Sequence, residues 1–343
     1  MRVTLLGSGA PARPVMRDLG ERAGVEVSNA PDQESFDAAI ANADVAIGFF
    51  DSDSKLERQA ALAAIAAKVP YVSSGQTAES FQSLSELDDE VKAAGATVVT
   101  GLGWAPGITN LMAKLATDDL EAVEEIRITW TGSCLGPMGQ LLLSRAIRAF
   151  SGDAVVFADE TWRLEGAGTA PEQVFFPEPV GWRPVVLCAA AEPLSIPQSV
   201  DGVKRVRVKG GMIEPWAHRQ AIKSADPWAR PSQGSNLPAL VRLGSWFHER
   251  VHAASPPWSA ARVDVLGSNQ GEPRTVAYAV VDQLTNLAVA PLVAGAILLC
   301  GKESLPLGVI APEQIFDPEE FFRLLAERGV RLARLNAARP LVK

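Results

Sequence analysis

The chain has 343 residues and a formal net charge of -8 at pH 7, with 47% hydrophobic and 21% charged residues. This length and composition predict two globular domains that bury their apolar surface without disulfides or metal ions. The acidic balance, with no Lys/Arg-rich run, argues against binding to nucleic acids or anionic membranes. The 3 cysteines are far apart in the sequence, so we expect reduced thiols and no metal site.

The amino terminus begins directly with the pattern of a strand, which is not the pattern of a signal peptide. The most apolar stretch, 284–299, contains Asn286 and Pro291. It is short for a membrane span and is predicted to be a buried helix. We therefore expect a soluble, cytoplasmic protein.

The first hundred residues alternate between apolar runs and helical patterns, which is typical of a parallel sheet with crossover helices. Strands are predicted at 3–6, 25–27, 44–50, 71–72 and 97–100, and helices at 15–22, 35–41, 55–67 and 84–94. The second and third strands are too close in the chain for another helix and strand to fit between them. We therefore expect an α/β fold with an abbreviated Rossmann-type sheet whose usual third strand is missing.

From residue 123 onward, strands joined by Pro- and Gly-rich connections predict a second, α+β domain. Strands are predicted at 125–130, 155–157, 185–187, 205–209 and 262–266, helices near 140–150 and 237–251, and long loops at 165–184 and 211–236. A tail over 316–335, with a helix that begins at Asp317-Pro318-Glu319 and a final strand, is expected to return to the first domain. The predicted domains are 1–120 with about 305–343, and 121–304.

A glycine-rich turn, Gly7-Ser-Gly-Ala-Pro-Ala12, follows the first predicted strand. Gly7 permits the tight turn, Gly9 lets the backbone approach a pyrophosphate, and Ala12 keeps the next helix close to the strand. Free N–H groups at the start of that helix then offer a site for phosphates. This context predicts that NAD or NADP binds here.

Two features depart from the usual dinucleotide pattern. Pro11 and Pro14 each remove a backbone N–H near the first turn of the helix. Ser28 and Asn29 stand after the second predicted strand, where an acid would bind the ribose hydroxyls, and Arg13 is the nearest base for a 2′-phosphate. A Rossmann-shaped domain that no longer binds a dinucleotide is therefore the alternative, and the choice between NAD and NADP stays open.

A second loop, Gly101-Leu-Gly-Trp-Ala-Pro-Gly-Ile-Thr-Asn110, follows the fifth predicted strand. It lies at the edge where open α/β sheets bind ligands. Pro106 and Gly107 fix a tight turn, and Thr109 or Asn110 can cap the next helix or contact a ligand.

With this loop the chain resembles the saccharopine dehydrogenase-like reductases, which include lysine 6-dehydrogenase and carboxynorspermidine dehydrogenase. Its Gly-Trp-x-Pro-Gly run is similar to that of meso-diaminopimelate dehydrogenase. The resemblance covers most of the chain, densely at 97–115 and 305–332, and includes the Gly-Gly turn of 203–211. It implies that the loop lies between the nicotinamide and an amino-acid substrate. Ala105 stands where many relatives have an acid, which leaves the substrate open.

Hydride transfer at a C–N bond requires a correctly positioned carbon, a partner for the substrate carboxylate and a group that accepts or donates one proton. The candidates for catalysis are Asp51 in the loop after the third predicted strand, Trp104 in the glycine-rich loop after the fifth, and His218 in the long loop at 211–236. The predicted cofactor-binding residues are Gly7, Gly9, Ala12, Asn29, Phe50, Gly103, Pro106 and Gly107, and the predicted substrate-binding residues are Thr109, Asn110 and Arg145.

Structural interpretations stand beside these roles. Asp53, close to Asp51, can cap the helix that follows. His218 can be an ordinary surface residue of its loop. His248 and His252 have the spacing of metal ligands, but no acid completes a site, so they are interpreted as structural.

The sequence favours an NAD(P)-dependent oxidoreductase acting on a C–N bond of an amino acid, polyamine or cyclic imine. The alternatives are a non-redox enzyme on the same fold, such as a lyase or a cyclodeaminase-like enzyme, and a binding protein without catalysis. Tryptophans outside the loop suggest an apolar pocket or an interface between copies. We therefore expect a small-molecule amine or imine substrate and a homodimer.

Overall fold

The structure, a computed structural model, describes residues 1–343 except Ala10, Ala23, Asp51, Ser52, Gln76, 226–256 and 336–343. The described residues form two compact units. The first comprises Met1–Leu111 and Ala288–Gly329, and the second comprises Met112–Leu287 and Val330–Lys343. The domain limits predicted from the sequence stay a prediction, because a compact unit is not by itself an independently folding domain.

Strands and helices alternate in the first unit, and strands dominate the second. The described strands are β1 (Arg2–Leu6), β2 (Glu26–Ala30), β3 (Val45–Gly48), β4 (Tyr71–Ser73), β5 (Thr97–Val99), β6 (Ala122–Gly132), β7 (Asp153–Ala158), β8 (Thr161–Gly166), β9 (Glu172–Phe176), β10 (Gly181–Leu187), β11 (Arg205–Met212), β12 (Trp258–Asn269), β13 (Glu272–Gln283), β14 (Gly308–Ile310) and β15 (Leu332–Leu335). The described helices are α1 (Ala12–Gly20), α2 (Phe36–Ile40), α3 (Ser54–Ala66), α4 (Ala78–Ser85), α5 (Asp88–Ala94), α6 (Ile108–Thr117), α7 (Gly139–Ala149), α8 (Glu192–Ser195), α9 (Pro215–Ala225), α10 (Leu284–Gly301), α11 (Pro312–Ile315) and α12 (Pro318–Ala326).

The first sheet has the strand order β14-β5-β4-β3-β1-β2, and all neighbouring strands are parallel. The order reverses at β1, where β2 lies on one side and β3 on the other. This is the topological switch point of a Rossmann-type sheet. In the described part of the chain β2 is the edge strand, which confirms that the usual third strand is missing.

The second sheet has the order β15-β13-β12-β6-β11-β10-β9, and the β7–β8 hairpin joins it through β11. Strands β6 and β11 are parallel, whereas the other pairs are antiparallel. Together with its helices this sheet confirms the predicted α+β character of the second half.

Several predicted elements differ from the structure. The predicted loop at 165–184 contains β9 and most of β10, which form a hairpin, and the predicted loop at 211–236 begins with the end of β11 and contains α9. Prolines and glycines dominated these segments and hid the alternation of apolar residues that a half-buried strand needs. The predicted helix at 84–94 is split into α4 and α5. The predicted helix at 237–251 lies outside the described residues.

The tail after α10 contributes to both sheets. Strand β14 pairs in parallel with β5, and helix α12 belongs to the first unit, in agreement with the predicted return. The final strand β15 instead pairs with β13 of the second sheet, so for this strand the prediction was wrong. Helix α12 begins as predicted, with the Asp317 carboxylate accepting a hydrogen bond from the Glu320 N–H at 2.8 Å.

Helix α10 is the one helix in the described ranges that is long and apolar enough to cross a membrane by length and composition. Its most apolar window is 67% buried inside the protein. This burial agrees with the prediction of a core helix, because a helix that is hydrophobic all round must be covered.

A buried ion pair lies inside the second sheet. The Arg262 guanidinium donates to both carboxylate oxygens of Asp264, with Nε–Oδ2 and NH2–Oδ1 distances of 2.8 Å, and the two side chains are each 4% exposed. Arg262 also donates to the carbonyl of Phe175 on β9 at 2.6 Å. The pair therefore ties β9 to the middle of the sheet.

We predict that Asp264→Ala lowers the free energy of unfolding by about 3–5 kcal/mol, because it leaves the Arg262 charge buried without its partner. Urea unfolding measures this loss. The control is Glu327→Ala, which breaks an exposed pair with Arg323 and is expected to change the free energy by less than about 1 kcal/mol. Equal effects of the two substitutions would contradict the prediction.

Candidate functional site

The carboxyl ends of the parallel strands meet at one edge of the first sheet. Here lie the loops that follow β1, β2, β3, β4 and β5, because parallel strands all end on the same side. This edge is the candidate site in the first unit, and the loops are described in chain order.

The glycine turn after β1 packs against the end of β3. Gly7 has φ of +89°, and a Cβ atom on it would lie 2.5 Å from the carbonyl oxygen of Phe49. A Cβ on Gly9 would lie 3.0 Å from the Cβ of Phe49. Gly7 is therefore required by the fold at the switch point, whatever ligand binds beside it, whereas a side chain at Gly9 would require Phe49 to shift slightly.

Most backbone donors described in this turn are already used within the chain. The N–H of Gly7 donates to Ala30, that of Gly9 to Phe49, and that of Ala12 to Gly9. Pro11 and Pro14 have no N–H, and α1 has no side-chain cap. The turn therefore offers fewer backbone donors to a pyrophosphate than the sequence motif implies.

Side chains at the same turn can replace some of these donors. Ser8 and Arg13 are exposed, and α1 has no acidic residue in its first turn. A hydroxyl and a guanidinium beside the positive end of a helix suit an anion such as phosphate.

An acidic residue follows β2, although the sequence pattern places Ser28 and Asn29 at the position of the acid. Strand β2 runs to Ala30, beyond its predicted end at Val27, and the backbone of Ala30 is hydrogen-bonded to Gly7. Asp32 comes two residues later and 20 residues after Ala12, which is the spacing of the ribose-binding acid. Its carboxylate is exposed and caps the next turn, accepting from the Ser35 N–H at 3.2 Å. This spacing was the signal that the sequence interpretation missed.

Two predicted cofactor residues have other surroundings. Asn29 lies within the exposed edge strand β2, opposite Leu5. Phe50 is 8% exposed, and its ring packs edge-to-face on Phe36 with a centroid distance of 5.9 Å. Their roles in cofactor binding stay predictions, and the contacts of Phe50 favour a place in the core.

The loop after β3 contains two predicted acids. Asp53 caps α3, accepting from the Leu56 N–H at 3.0 Å, in agreement with its structural interpretation. Asp51, the candidate for proton transfer, lies outside the described residues.

The loop after β4 is held by a buried acid that the sequence did not single out. Glu57 on α3 is 3% exposed and accepts hydrogen bonds from the hydroxyls of Ser73 and Ser80. The Ser73 hydroxyl oxygen also accepts from the Gly75 N–H at 2.9 Å. The carboxylate therefore fixes the path of this loop at the ligand edge of the sheet.

The loop after β5 forms a compact turn. The Ala105–Pro106 peptide is cis, and the backbones of Gly103 and Gly107 approach so closely that a Cβ on Gly107, at φ +118°, would lie 2.3 Å from the Gly103 nitrogen. Trp104 is 4% exposed, whereas Ala105 is half-buried. Gly103, Pro106 and Gly107 therefore lie together, as predicted for one loop, and their contact with a cofactor stays a prediction.

Polar residues after this turn are buried. Thr109 is fully buried, and Asn110 is 1% exposed. The Asn110 side-chain oxygen accepts from the Gly107 N–H at 2.9 Å, and its Nδ2 donates to Glu313 of α11, also at 2.9 Å. Asn110 thus braces the turn against the returning tail, and its contact with substrate stays a prediction.

In the second unit, His218 lies in α9 and not in a surface loop. It is 7% exposed, its Nδ1 accepts from the Met212 N–H at 3.3 Å, and its ring packs edge-to-face on Phe150. Burial and the neighbouring Arg219 lower the pKa of His218, so the imidazole is neutral with its proton on Nε2. These contacts favour a structural role, and its catalytic role stays a prediction.

A polar cluster joins the ends of the parallel strands β6 and β11. Glu214 accepts from the Ser133 hydroxyl at 2.5 Å and from the Cys134 N–H at 2.9 Å. Burial and the Glu214 carboxylate raise the pKa of the Cys134 thiol, so it stays protonated. Arg145, the predicted carboxylate partner, is half-buried on the neighbouring α7, and its role stays a prediction. No group of side chains suited to a metal ion occurs among the described residues.

Comparison with known proteins identifies the fold. No protein-family model matches the chain, and no curated protein sequence matches it significantly. The apo L-Glu-forming saccharopine dehydrogenase from Saccharomyces cerevisiae is similar in structure, with 14% identity, a TM-score of 0.66 and coverage of 98% of this chain and 100% of that chain. C. glutamicum DAP dehydrogenase in complex with DAP has 13% identity and a TM-score of 0.50, with 94% of this chain and 95% of that chain covered.

An engineered D-amino acid dehydrogenase bound to NADP+ is also similar, with 14% identity, a TM-score of 0.50 and the same coverage of 94% and 95%. At such low identity these likenesses concern the fold. They confirm the resemblance to the saccharopine dehydrogenase-like reductases at that level, including the Rossmann-type sheet and the second α+β half.

We predict that Asn110→Ala lowers the free energy of unfolding by about 2–4 kcal/mol, because the buried groups of Gly107 and Glu313 both lose a partner. Urea unfolding measures the change. Asn286→Ala, at an exposed position on α10, is the control and should change the free energy by less than about 0.5 kcal/mol. An unchanged free energy for Asn110→Ala would contradict the bracing role and favour a ligand contact.

A second prediction concerns pH. Because the folded pKa of His218 is below the unfolded value of 6.5, the unfolded chain binds a proton first as the pH falls. The contribution of this group to the free energy of unfolding is therefore fully present above pH 6.5. As the pH falls from 6.5 towards the folded pKa, the free energy of unfolding decreases by up to about 1.4 kcal/mol per pH unit. His218→Asn keeps an acceptor but cannot titrate, so its free energy of unfolding should fall less between pH 7.5 and 5. Parallel pH profiles for the two proteins would refute the assignment.

Proposed function

We propose that the protein is an NAD(P)-dependent oxidoreductase that acts on a C–N bond of an amino acid, amine or cyclic imine. The observation that carries the proposal is the position of two glycine-rich loops, after β1 and β5, at the same edge of a Rossmann-type sheet. The structural relatives add support, since they are dehydrogenases of saccharopine, DAP and D-amino acids.

The residues at the sheet edge suit a dinucleotide in part. In this proposal Asp32 accepts hydrogen bonds from ribose hydroxyls, and Ser8 and Arg13 supply donors to the phosphates in place of the missing N–H groups. Asp32 favours NAD, because its charge repels a 2′-phosphate. The bound cofactor supplies the acceptor or donor of hydride.

The chain itself positions the reacting groups. The turn between Gly103 and Gly107 is held by Asn110 and Glu313, so its backbone is fixed before a ligand arrives. A rigid loop of this kind can hold the reacting carbon at a constant distance from the cofactor. Asp51 is the proposed group for proton transfer, and Arg145 the proposed partner of a substrate carboxylate.

A binding protein that has lost the dinucleotide is the second candidate. It is favoured by one observation, namely that the N–H groups of Gly7, Gly9 and Ala12 donate to carbonyls of the chain. This candidate keeps the fold and predicts no response to either cofactor.

Titration with NADH and NADPH, followed by nicotinamide fluorescence, tests the two candidates. We predict that the wild-type protein binds NADH and that Asp32→Ser weakens this binding by about tenfold or more, because a charged hydrogen-bond acceptor is lost. Serine keeps the cap on the Ser35 N–H, so the fold is preserved. Asp37→Ser, an exposed acid on α2, is the control and should leave the dissociation constant unchanged.

The absence of a fluorescence change with both NADH and NADPH would contradict the redox proposal. If NADH binds, turnover is measured with a panel of amino acids, amines and imines through the NAD(P)H absorbance band. Binding of cofactor with conversion of an amino acid, but with no change in that band, would instead indicate the non-redox enzyme.

A further inference from the structure

Strand β8 is an exposed edge strand that carries large apolar side chains. In the described part of the chain it pairs only with β7, so one row of its backbone groups faces away from the sheet. Trp162 and Leu164, two residues apart and therefore on one face, are 51% and 67% exposed. An edge of this kind is a surface on which another strand can pair.

The indole of Trp162 on this face is held in a fixed conformation. Trp162 Nε1 donates to the carbonyl of Pro193 at 2.8 Å, and the indole packs edge-to-face on Phe157 with a centroid distance of 5.3 Å. On β7, Phe157 is directly opposite Trp162, and Val155 is opposite Leu164. Because these contacts already fix the indole, little side-chain freedom remains to be lost when a partner binds.

The sequence of residues 162–166, Trp-Arg-Leu-Glu-Gly, is complementary to itself when two copies run antiparallel. If Leu164 faces Leu164 of a second copy, Arg163 faces Glu165 of that copy. Trp162 then faces Gly166, which adds no side chain of its own to the contact. Twofold symmetry makes each of these favourable contacts twice.

Other antiparallel registers are unfavourable. A pairing centred on Arg163 brings two arginines face to face, and one centred on Glu165 brings two glutamates face to face. In a register centred between two residues, each residue whose N–H and C=O groups point towards the other copy lies opposite a residue whose groups point away from it. Regular hydrogen bonds therefore do not form. Among the registers centred on residues 163 to 165, the one centred on Leu164 satisfies both the charges and the backbone hydrogen bonds.

The charges around β8 also continue across this register. Within one copy Glu165 pairs with Arg207 at 2.8 Å, and Arg163 pairs with Asp159 at 2.9 Å. Pairing of the two copies aligns these groups in the order Arg207, Glu165, Arg163 and Asp159, the last two from the second copy. The signs alternate along the row, so every charge has opposite neighbours.

We propose that the protein forms a homodimer in which the β8 strands of two copies pair antiparallel about a twofold axis at Leu164. The pairing makes one continuous sheet from the second units of two copies and covers both exposed edges. It requires neither cofactor nor substrate, so its failure and the failure of the proposed redox function are distinguishable.

Charge reversal tests the register. Arg163→Glu alone sets acids against acids across the contact, and Glu165→Arg alone sets bases against bases, so each should raise the dimer dissociation constant by about tenfold or more. An equimolar mixture of the two variants has opposite charges at both positions and should return to the wild-type constant. Sedimentation velocity over a dilution series, with one variant carrying a fluorescent label, measures all three.

The matched control is Arg323→Glu, which reverses an arginine of similar exposure on α12 and should leave the dissociation constant unchanged. A thermal unfolding curve for each variant verifies that it is folded. If the Glu165→Arg chain is unfolded, the cross-linking experiment below tests the same register independently.

Cysteine cross-linking tests the position of the axis. In a Cys300→Ser background, which removes the exposed thiol, Leu164→Cys places two thiols opposite each other, so mild oxidation should give a covalent dimer. Leu307→Cys, at a residue that is 50% exposed, should not cross-link to the same extent. A monomeric wild-type protein throughout the dilution series would overturn the proposal. So would a dimer that neither charge reversal weakens, or equal cross-linking at the two cysteine positions.

Discussion

The first unit depends on the close approach of two backbones at the switch point, where the turn after β1 touches the end of β3. A Cβ on Gly7 would lie 2.5 Å from the Phe49 carbonyl oxygen and push the two strands apart, and a Cβ on Gly9 would lie 3.0 Å from the same oxygen, which is a tight contact. Helix α1 begins at this turn, and the loop of Asp32 is joined to it through the Gly7–Ala30 hydrogen bond. The same two glycines therefore set both the packing of the sheet and the shape of the edge where a cofactor is proposed to bind.

The positions of the parallel strands along the chain could be predicted because buried strands and amphipathic helices differ in period. Even the missing third strand followed from the short spacing before β3. The end of β2 could not be predicted. Ser28 and Asn29 lie on an exposed edge strand, and in the sequence alone polar residues after an apolar run indicate a loop. That error of three residues concealed Asp32, and the prolines of the β9–β10 hairpin concealed β9 and the first residues of β10 for a similar reason.

The glycine-rich loop after β5 was found from its motif, but the direction of its side chains was not. A polar residue beside a ligand-binding loop can face the ligand or brace the loop, and local sequence does not distinguish the two. Asn110 braces the loop because Glu313, which is 203 residues away in the chain, comes to lie beside it. The burial of His218 likewise depends on distant partners, since Phe150 packs against it from the end of another helix.

The pairing of β5 with β14 has a consequence for synthesis. Residues 97–99 leave the ribosome long before residues 308–310, and the chain between them includes most of the second unit. At typical elongation rates, on the order of 10–40 s pass between the synthesis of β5 and that of β14, its neighbour in the sheet. The second unit can condense during that interval, whereas the sheet that carries the glycine turn is completed only when nearly the whole chain has been made.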